Sequence, residues 1–206
     1  NIARCVREMI NSGVAAIHIE DQVSQKRCGH RPNKAIVSTN EMVDRIKAAV
    51  DAKTDPNFVI MARTDSLAIE GMHSAIDKAT AFVEAGADMI FPEALASMEE
   101  YYHVSDELRK HKKDVSLLAN MTEFGKTPII NFTDFEKMGY SCVIYPVSTL
   151  RVAMKAVDGF LGDLKKNGDV NTQLDKMQTR QELYGLLNYK PGVEWIYPNS
   201  KRPNSK

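Results

Sequence analysis

The chain has 206 residues, 27 basic and 27 acidic side chains for a formal net charge of +0, and a hydrophobic content of 43%. That length and apolar content suit a globular chain with a sizeable core, and the balanced charge gives no electrostatic reason to expect nucleic acid or an anionic membrane as partner. No apolar run approaches the ~20 residues needed to cross a bilayer, no basic start followed by an apolar core reads as a secretory leader, and Cys5, Cys28 and Cys142 match neither a disulfide framework nor a zinc pattern, so a reducing cytosol is the expected setting.

In chain order the pattern alternates helix and strand. Residues 2–10 place Ile2, Cys5, Val6, Met9 and Ile10 on one helical face and stop at Gly13. A short apolar strand, Val14 to Ile19, runs into Glu20-Asp21. Ser38-x-x-Glu41, a capping-box pattern, opens a helix over 40–52. Phe58 to Ala62 reads as a strand leading to Arg63-Thr64-Asp65, and a helix over 72–85 ends at Gly86. Met89-Ile90-Phe91 leads to Pro92-Glu93, Ser97-x-x-Glu100 opens the next helix, and Leu117-Leu118-Ala119 leads to Asn120. Thr133-x-x-Glu136 is expected to cap a short helix stopping at Gly139, before the strand Val143-Ile144-Tyr145. Helices over 149–166 and 174–187 come next, then a polar tail from Lys190.

A weak internal repeat supports this division: Gly13, Gly86 and Gly139 each stand seven residues before Glu20, Glu93 and Pro146. Strands apolar on both faces, alternating with helices, mean a parallel sheet in an α/β architecture. The pattern leaves two forms open. One is a complete five-stranded doubly wound sheet. The other is part of a (β/α)8 barrel whose preceding strands are absent, since the chain opens on a helix.

The polar residues gather at strand ends: Glu20-Asp21, Arg63-Thr64-Asp65, Glu93, and Asn120 with Thr122 and Glu123. In a parallel α/β fold those positions share one face above the carboxyl ends of the strands; the bland alternative is a set of solvated loop starts and helix caps. The interval from Glu20 to Arg63 is 43 residues, against 30, 27 and 26 for the later ones. The excess falls in residues 22–37, and long loops of this kind are commonly lids. Cys28 lies inside it among Lys26, Arg27, His30 and Arg31, where positive neighbours favour a thiolate, and Gly29 admits close approach to a ligand. Cys5 and Cys142 read as core residues, His18 as a packed histidine, and His73, His103 and His111 as surface residues.

The run Ile17-His18-Ile19-Glu20-Asp21-Gln22 followed by Lys26-Arg27-Cys28-Gly29-His30 resembles the signature of the isocitrate lyase superfamily. Its continuation through Arg31-Pro32-Asn33-Lys34, with Met61 to Asp65, Phe91 to Ala94, Ala119 to Gly125, Thr127-Pro128, Tyr145 to Ser148 and Arg151, is similar to the 2-methylisocitrate lyase branch. The resemblance implies a (β/α)8 TIM-type barrel with its first three strands absent. Strands 4–8 would lie in residues 1–168, and a C-terminal helical extension and tail in 169–206, the helix at 174–187 swapping between subunits of a homotetramer. It implies Mg²⁺-dependent cleavage of a small tricarboxylate to pyruvate and succinate, with Mn²⁺ as a possible substitute. It also implies that the direct metal ligands are not among these residues, Glu20 and Glu93 acting from the outer shell through water.

Cys28 is then the expected acid, with His30 and Arg27 orienting it or binding the succinate half. Gly29, Arg63, Glu93, Asn120, Thr122, Glu123 and Arg151 are the expected substrate contacts. Isocitrate lyase is the nearest alternative, and a non-catalytic remnant the alternative of another class.

Overall fold

The computed structural model describes residues 1–193, and the remainder of the polar tail lies outside the described residues. Strands β1 (Ala16–Glu20), β2 (Val59–Thr64), β3 (Met89–Pro92), β4 (Ser116–Asn120) and β5 (Cys142–Ile144) pair in parallel in their chain order. That order decides between the two candidate architectures. A doubly wound sheet reverses at a switch point and carries helices on both faces. A sheet that always grows to the same side through right-handed crossovers keeps its helices on one face and curls toward a barrel. The sheet is therefore part of a TIM-type barrel wall.

The helices between strands are α1 (Ile2–Asn11), α2 (Thr39–Val50), α3 (Leu67–Glu84), α4 (Met98–His111) and α5 (Phe132–Lys137). Their apolar stripes bury Met42 and Ile46 of α2, Ile76 and Phe82 of α3, Tyr101, Val104 and Leu108 of α4 and Phe135 of α5 against Ala62, Ile90, Leu117 and Ala119 of the strands. Tyr101, Phe135 and Tyr140 meet edge to face in the middle of this layer, with ring centroids 4.9–5.6 Å apart. The other face of the sheet holds a smaller cluster, Met61, Phe91 and Leu118, with Met89, Cys142 and Ile144 packed beside it. Register aligns that inner face: His18 pairs with Met61, Glu20 with Arg63, Arg63 with Phe91, and Asn120 with Ile144.

Three local expectations need correction. Cys5 is exposed, because α1 packs through Ile2, Ala3, Val6 and Ile10 rather than through the stripe that includes Cys5 and Met9. The N-cap of α5 is Asn131, whose side chain accepts from the Thr133 backbone, two residues before the expected cap is complete. The helix expected over 174–187 is split into a 3-10 turn, Asn171–Lys176, and α7, Arg180–Leu186. Met177 is extended there, and Thr179 opens a new helix with a full capping box to Glu182.

The chain forms two compact units, Asn1–Leu150 and Arg151–Lys206. Most of α6 (Ser148–Asn167) lies in the second, where Gln173 is buried and donates to Asp163. Among the described residues no helix is long and apolar enough to cross a membrane.

The seven-residue repeat has a structural cause. Gly13, Gly86 and Gly139 have φ of 79°, 102° and 86°. The residue after each donates back to the helix, Val14 to Met9, Ala87 to Phe82 and Tyr140 to Phe135, at 2.9–3.0 Å. These are Schellman stops that turn each helix into the following strand. Around Gly13 an added Cβ meets open space, whereas at Gly86 it stands 3.3 Å from Val50. Gly13→Ala is expected to lower stability by about 1–2 kcal/mol, the cost of a left-handed side-chain residue, and Gly86→Ala by more. Denaturant unfolding of both variants of the whole protein checks this, and equal losses would remove the role given to Val50.

Candidate active site

Side chains alternate along a strand. The inward-facing Met61, Met89 and Leu118 therefore place the residues two and four positions further toward the carboxyl ends on the same face. That alternation brings Glu20 of β1, Arg63 of β2, Glu93 just after β3 and Asn120 of β4 to one mouth. Arg63 is the centre of it. Its guanidinium lies 5.0 Å over the Phe91 ring and forks onto Asp65, Nε to Oδ2 at 2.9 Å and Nη2 to Oδ1 at 3.3 Å. Glu20 is 3.4 Å from Nε and Glu93 is 3.6 Å from Nη2. Burial opposes the charge on Arg63, and the Asp65, Glu93 and Glu20 carboxylates more than restore it, raising its pKa. Burial likewise tends to raise Asp65, but the Arg63 hydrogen bonds and charge, with Gln22 and Lys34, hold it below the ordinary carboxylate value.

Asp21, one residue after Glu20, faces the opposite way, toward the helices. It is fully buried and accepts from Thr64 Oγ1 at 2.7 Å and the Asp65 backbone N–H at 2.9 Å. Desolvation raises its pKa despite those two bonds. Asp21 thus clamps the Arg63-Thr64-Asp65 turn from behind while Arg63 works in front.

The 22–37 loop folds over the mouth. Gln22 grips the backbone of Arg27 by both amide atoms at 2.9 Å, and the Val37 backbone N–H donates to Asp21 O at 2.7 Å, so the loop is pinned at both roots. Gly29 is buried against Glu93, and a Cβ there would collide with the Glu93 side chain. Only glycine permits that seat. His30 Nε2 stands 3.3 Å from Glu93 Oε1, and His30 Nδ1 accepts from the Lys126 backbone N–H at 3.0 Å. Gly125, beside Lys126, has no room for a Cβ, which would stand 2.7 Å from His30 Nδ1. Burial holds the His30 imidazole below its ordinary pKa; Glu93 pulls it up, while Lys34, Arg63 and Lys126 push it further down. A neutral ring accepting at Nδ1 carries its proton on Nε2, which lies near Glu93 but makes no hydrogen bond to it.

The expected residues fall into three groups. Glu20, Gly29, His30, Arg63, Glu93 and Asn120 are brought together, Asn120 Nδ2 reaching Glu93 at 3.3–3.4 Å. Arg27 and Cys28 sit next to them in the loop, both exposed, and line a hollow with Arg31, Pro32 and Asn33. Thr122 and Glu123 follow β4 half-buried, Glu123 accepting from Ser148. Arg151 is exposed on α6 in the second unit. His18 is exposed on the inner face, edge-on to Phe91 at 5.8 Å. Lys34 and Gln22 carry no expected role from the sequence although they build the site, and Asp65 is expected only as one of the polar strand-end residues. The Arg63-x-Asp65 spacing was the available signal, because residues two apart at a strand end share a face.

Among the described residues His30 Nε2 and Asn120 Oδ1 are buried at the centre with no hydrogen-bond partner, and the Arg63 fork onto Asp65 uses Nε and Nη2. A ligand that presents a carboxylate and a hydroxyl matches these groups. For a metal ion the fit is partial. Among the described residues no group of three or more His, Cys, Asp or Glu side chains is placed to hold one, and Glu93 is engaged by Arg63, His30 and Asn120. Glu20, held through Oε2 by Lys26 and Arg63, leaves Oε1 to accept from a water.

Comparison with known proteins agrees with this fold. The family described as phosphoenolpyruvate phosphomutase matches residues 1–164. A 2-methylisocitrate lyase of Vibrio cholerae serotype O1 is 55% identical over 190 residues, covering 92% of this chain and 62% of that protein. The crystal structure of 2,3-dimethylmalate lyase, a PEP mutase/isocitrate lyase superfamily member, superposes with a TM-score of 0.79 at 38% identity, over 89% of this chain and 60% of that one. A phosphonopyruvate hydrolase solved with oxalate and Mg²⁺ shares the fold, with a TM-score of 0.76 at 23% identity over 91% and 63% of the two chains. The chain spans about three fifths of the length of the curated relatives it matches.

The buried imidazole sets a pH dependence. A folded-state pKa below the ordinary ~6.5 means that the folded state binds the proton more weakly than the unfolded chain. The stability His30 contributes is therefore complete above that value and is lost as the pH falls from it toward the folded midpoint. NMR titration of the His30 ring in the whole protein is expected to give a midpoint below 6.5, and His30→Asn to make the acid-side fall in stability shallower. A midpoint at or above the ordinary value would contradict the environment described.

Proposed function

Because the chain belongs to the phosphoenolpyruvate phosphomutase family, we propose that the whole protein is a carbon–carbon lyase that cleaves 2-methylisocitrate to pyruvate and succinate. The observation that supports this reading is the seat of Gly29, the residue after Cys28, on Glu93 beside a buried arginine. The names of curated relatives at 46–55% identity support it.

In this reading a base takes the proton from the C2 hydroxyl. The C2–C3 bond then breaks, C2 becomes the keto carbon of pyruvate, and the electron pair remains on C3 beside its carboxylate. The Cys28 thiol delivers its proton to C3, completing succinate. Arg63 binds a substrate carboxylate through Nη1, and Asn120 Oδ1, Thr122 and Glu123 hold polar groups of the ligand. Neutral His30 keeps the loop on Glu93, and Arg27 steadies the thiolate left after transfer.

A divalent cation, Mg²⁺ with Mn²⁺ as substitute, supplies charge stabilisation at the hydroxy-acid end when bound; Glu20 and Glu93 serve its outer shell through water. The proposed setting is the cytoplasm. The extension after residue 168 is proposed to swap between subunits of a homotetramer. Leu183, Leu186 and Leu187 on and beside α7 are exposed and apolar, a surface that suits burial in a partner.

A coupled assay of pyruvate release is expected to show turnover of 2-methylisocitrate that requires Mg²⁺. It is expected to show slower turnover of isocitrate, by about 10- to 200-fold, the range one methylene gives. Cys28→Ser is expected to abolish release while succinate and Mg²⁺ still bind by calorimetry; near-normal turnover in that variant refutes the thiol's role. Light scattering is expected to give a mass of four chains, and a monomer with α7 intact would refute the swap.

A further inference from the structure

The loop that carries Cys28 is held by two lysines of different character. Lys26 reaches Glu20 at 2.5 Å, but its side chain is 51% exposed, and an exposed pair is screened and weak. Lys34, on the returning limb, is 2% exposed. It donates to Gly29 O at 2.5 Å and to Asp65 Oδ1 at 3.2 Å. The first partner belongs to the residue seated on Glu93. The second is the carboxylate that holds Arg63.

We propose that Lys34 is the latch of the 22–37 loop and a positioning residue for the reaction, tying closure of the loop to the availability of Arg63 through the shared oxygen Asp65 Oδ1. A buried ammonium is tolerated only with its partners in place. One of these is in the loop and the other is on the barrel wall, so the charge is satisfied in the closed arrangement and must return to water when the loop lifts. Asp65 Oδ1 divides itself between two cations, Lys34 at 3.2 Å and Arg63 Nη2 at 3.3 Å, while Oδ2 keeps a shorter bond to Arg63 Nε at 2.9 Å. Both Oδ1 distances exceed those of an undivided charge-assisted bond.

When Lys34 docks, it competes with the Nη edge of Arg63 for Oδ1 and leaves that edge freer for a ligand. When a ligand carboxylate draws the Nη edge away, Oδ1 is left to Lys34 and the latch tightens. The two effects are one coupling and must be equal in free energy. The inference rests on the reading that Arg63 binds a ligand carboxylate, and its test separates the two.

The test is amide hydrogen exchange in residues 22–37 of the whole protein, with and without succinate, for wild type, Lys34→Met and Lys34→Arg. Without ligand, Lys34→Met is expected to exchange the loop about tenfold faster than wild type, with β2 and β3 unchanged and Lys34→Arg in between. Succinate is expected to slow loop exchange in wild type and to have no such effect in Lys34→Met. The kcat of Lys34→Met falls by about tenfold or more while the affinity for Mg²⁺ stays, since chemistry waits on a closed loop. Should Lys34→Met expose the sheet as well, Lys34→Gln, which keeps a donor for Gly29 O and loses only the charge, carries the same comparison. Loop exchange equal to wild type in a folded Lys34→Met or Lys34→Gln overturns the latch. Faster loop exchange in the variants with no effect of succinate on wild type sustains the latch and overturns the ligand role of Arg63.

Discussion

The site depends on one buried ion pair, the fork of Arg63 onto Asp65. A guanidinium with a side-chain exposure of 10% must be compensated, and the compensation spreads outward from it. Asp65 takes two of its nitrogens, Glu20 and Glu93 close on its flanks, and Phe91 lies beneath it. Asp65 is held in turn by Lys34 from the loop and, at its backbone, by Asp21 from behind. Glu93 accepts from Asn120 and has the His30 ring beside it. Removing either member of the fork leaves the other buried charge with only its longer ion pairs, Glu20 and Glu93 for Arg63 or Lys34 for Asp65. The loop, β1, β2 and β3 are therefore coupled through two carboxylates.

The barrel wall makes this pair possible. Parallel strands in chain order arrive with aligned carboxyl ends, and β1, β3 and β5 are each fed by a helix that ends in a left-handed glycine. Strand alternation then sorts neighbours by task. Glu20 faces the mouth and Asp21 the helices; Arg63 and Asp65 face the mouth and Thr64 the helices. A single sequence step separates a residue that faces the mouth from one that holds the scaffold. Asp21 to Thr64 is the scaffold version of the same β1–β2 connection that Glu20 to Arg63 makes at the surface of the site.

Much of this was legible in the residues. Helix-ending glycines at constant spacing announced the repeat, and the 13 to 17 extra residues between Glu20 and Arg63 announced the long 22–37 loop. The sheet's curl was not legible, because helix–strand alternation is common to doubly wound sheets and barrels, and only the order of pairing separates them. Cys5 was misplaced because Ala3, too small to register as apolar weight, supplies the contact face of α1. The importance of Lys34 was hidden for a different reason. A lysine among basic loop residues reads as solvated, and its burial comes from the long-range approach of residue 34 to residue 65, which no local pattern encodes. Likewise the tie from His30 to Lys126 spans 96 positions and leaves no trace in spacing.

In the proposed reading Arg63 and Asn120 Oδ1 take a ligand at a mouth closed by Gly29. A crystal structure of the whole protein with succinate or pyruvate bound is the test. A ligand carboxylate is expected within hydrogen-bonding distance of Arg63 Nη1, with Gly29 still against Glu93 and the Cys28 sulfur turned toward the ligand. A ligand bound elsewhere, with Arg63 enclosed by Asp65, Glu20 and Glu93 alone, would contradict it.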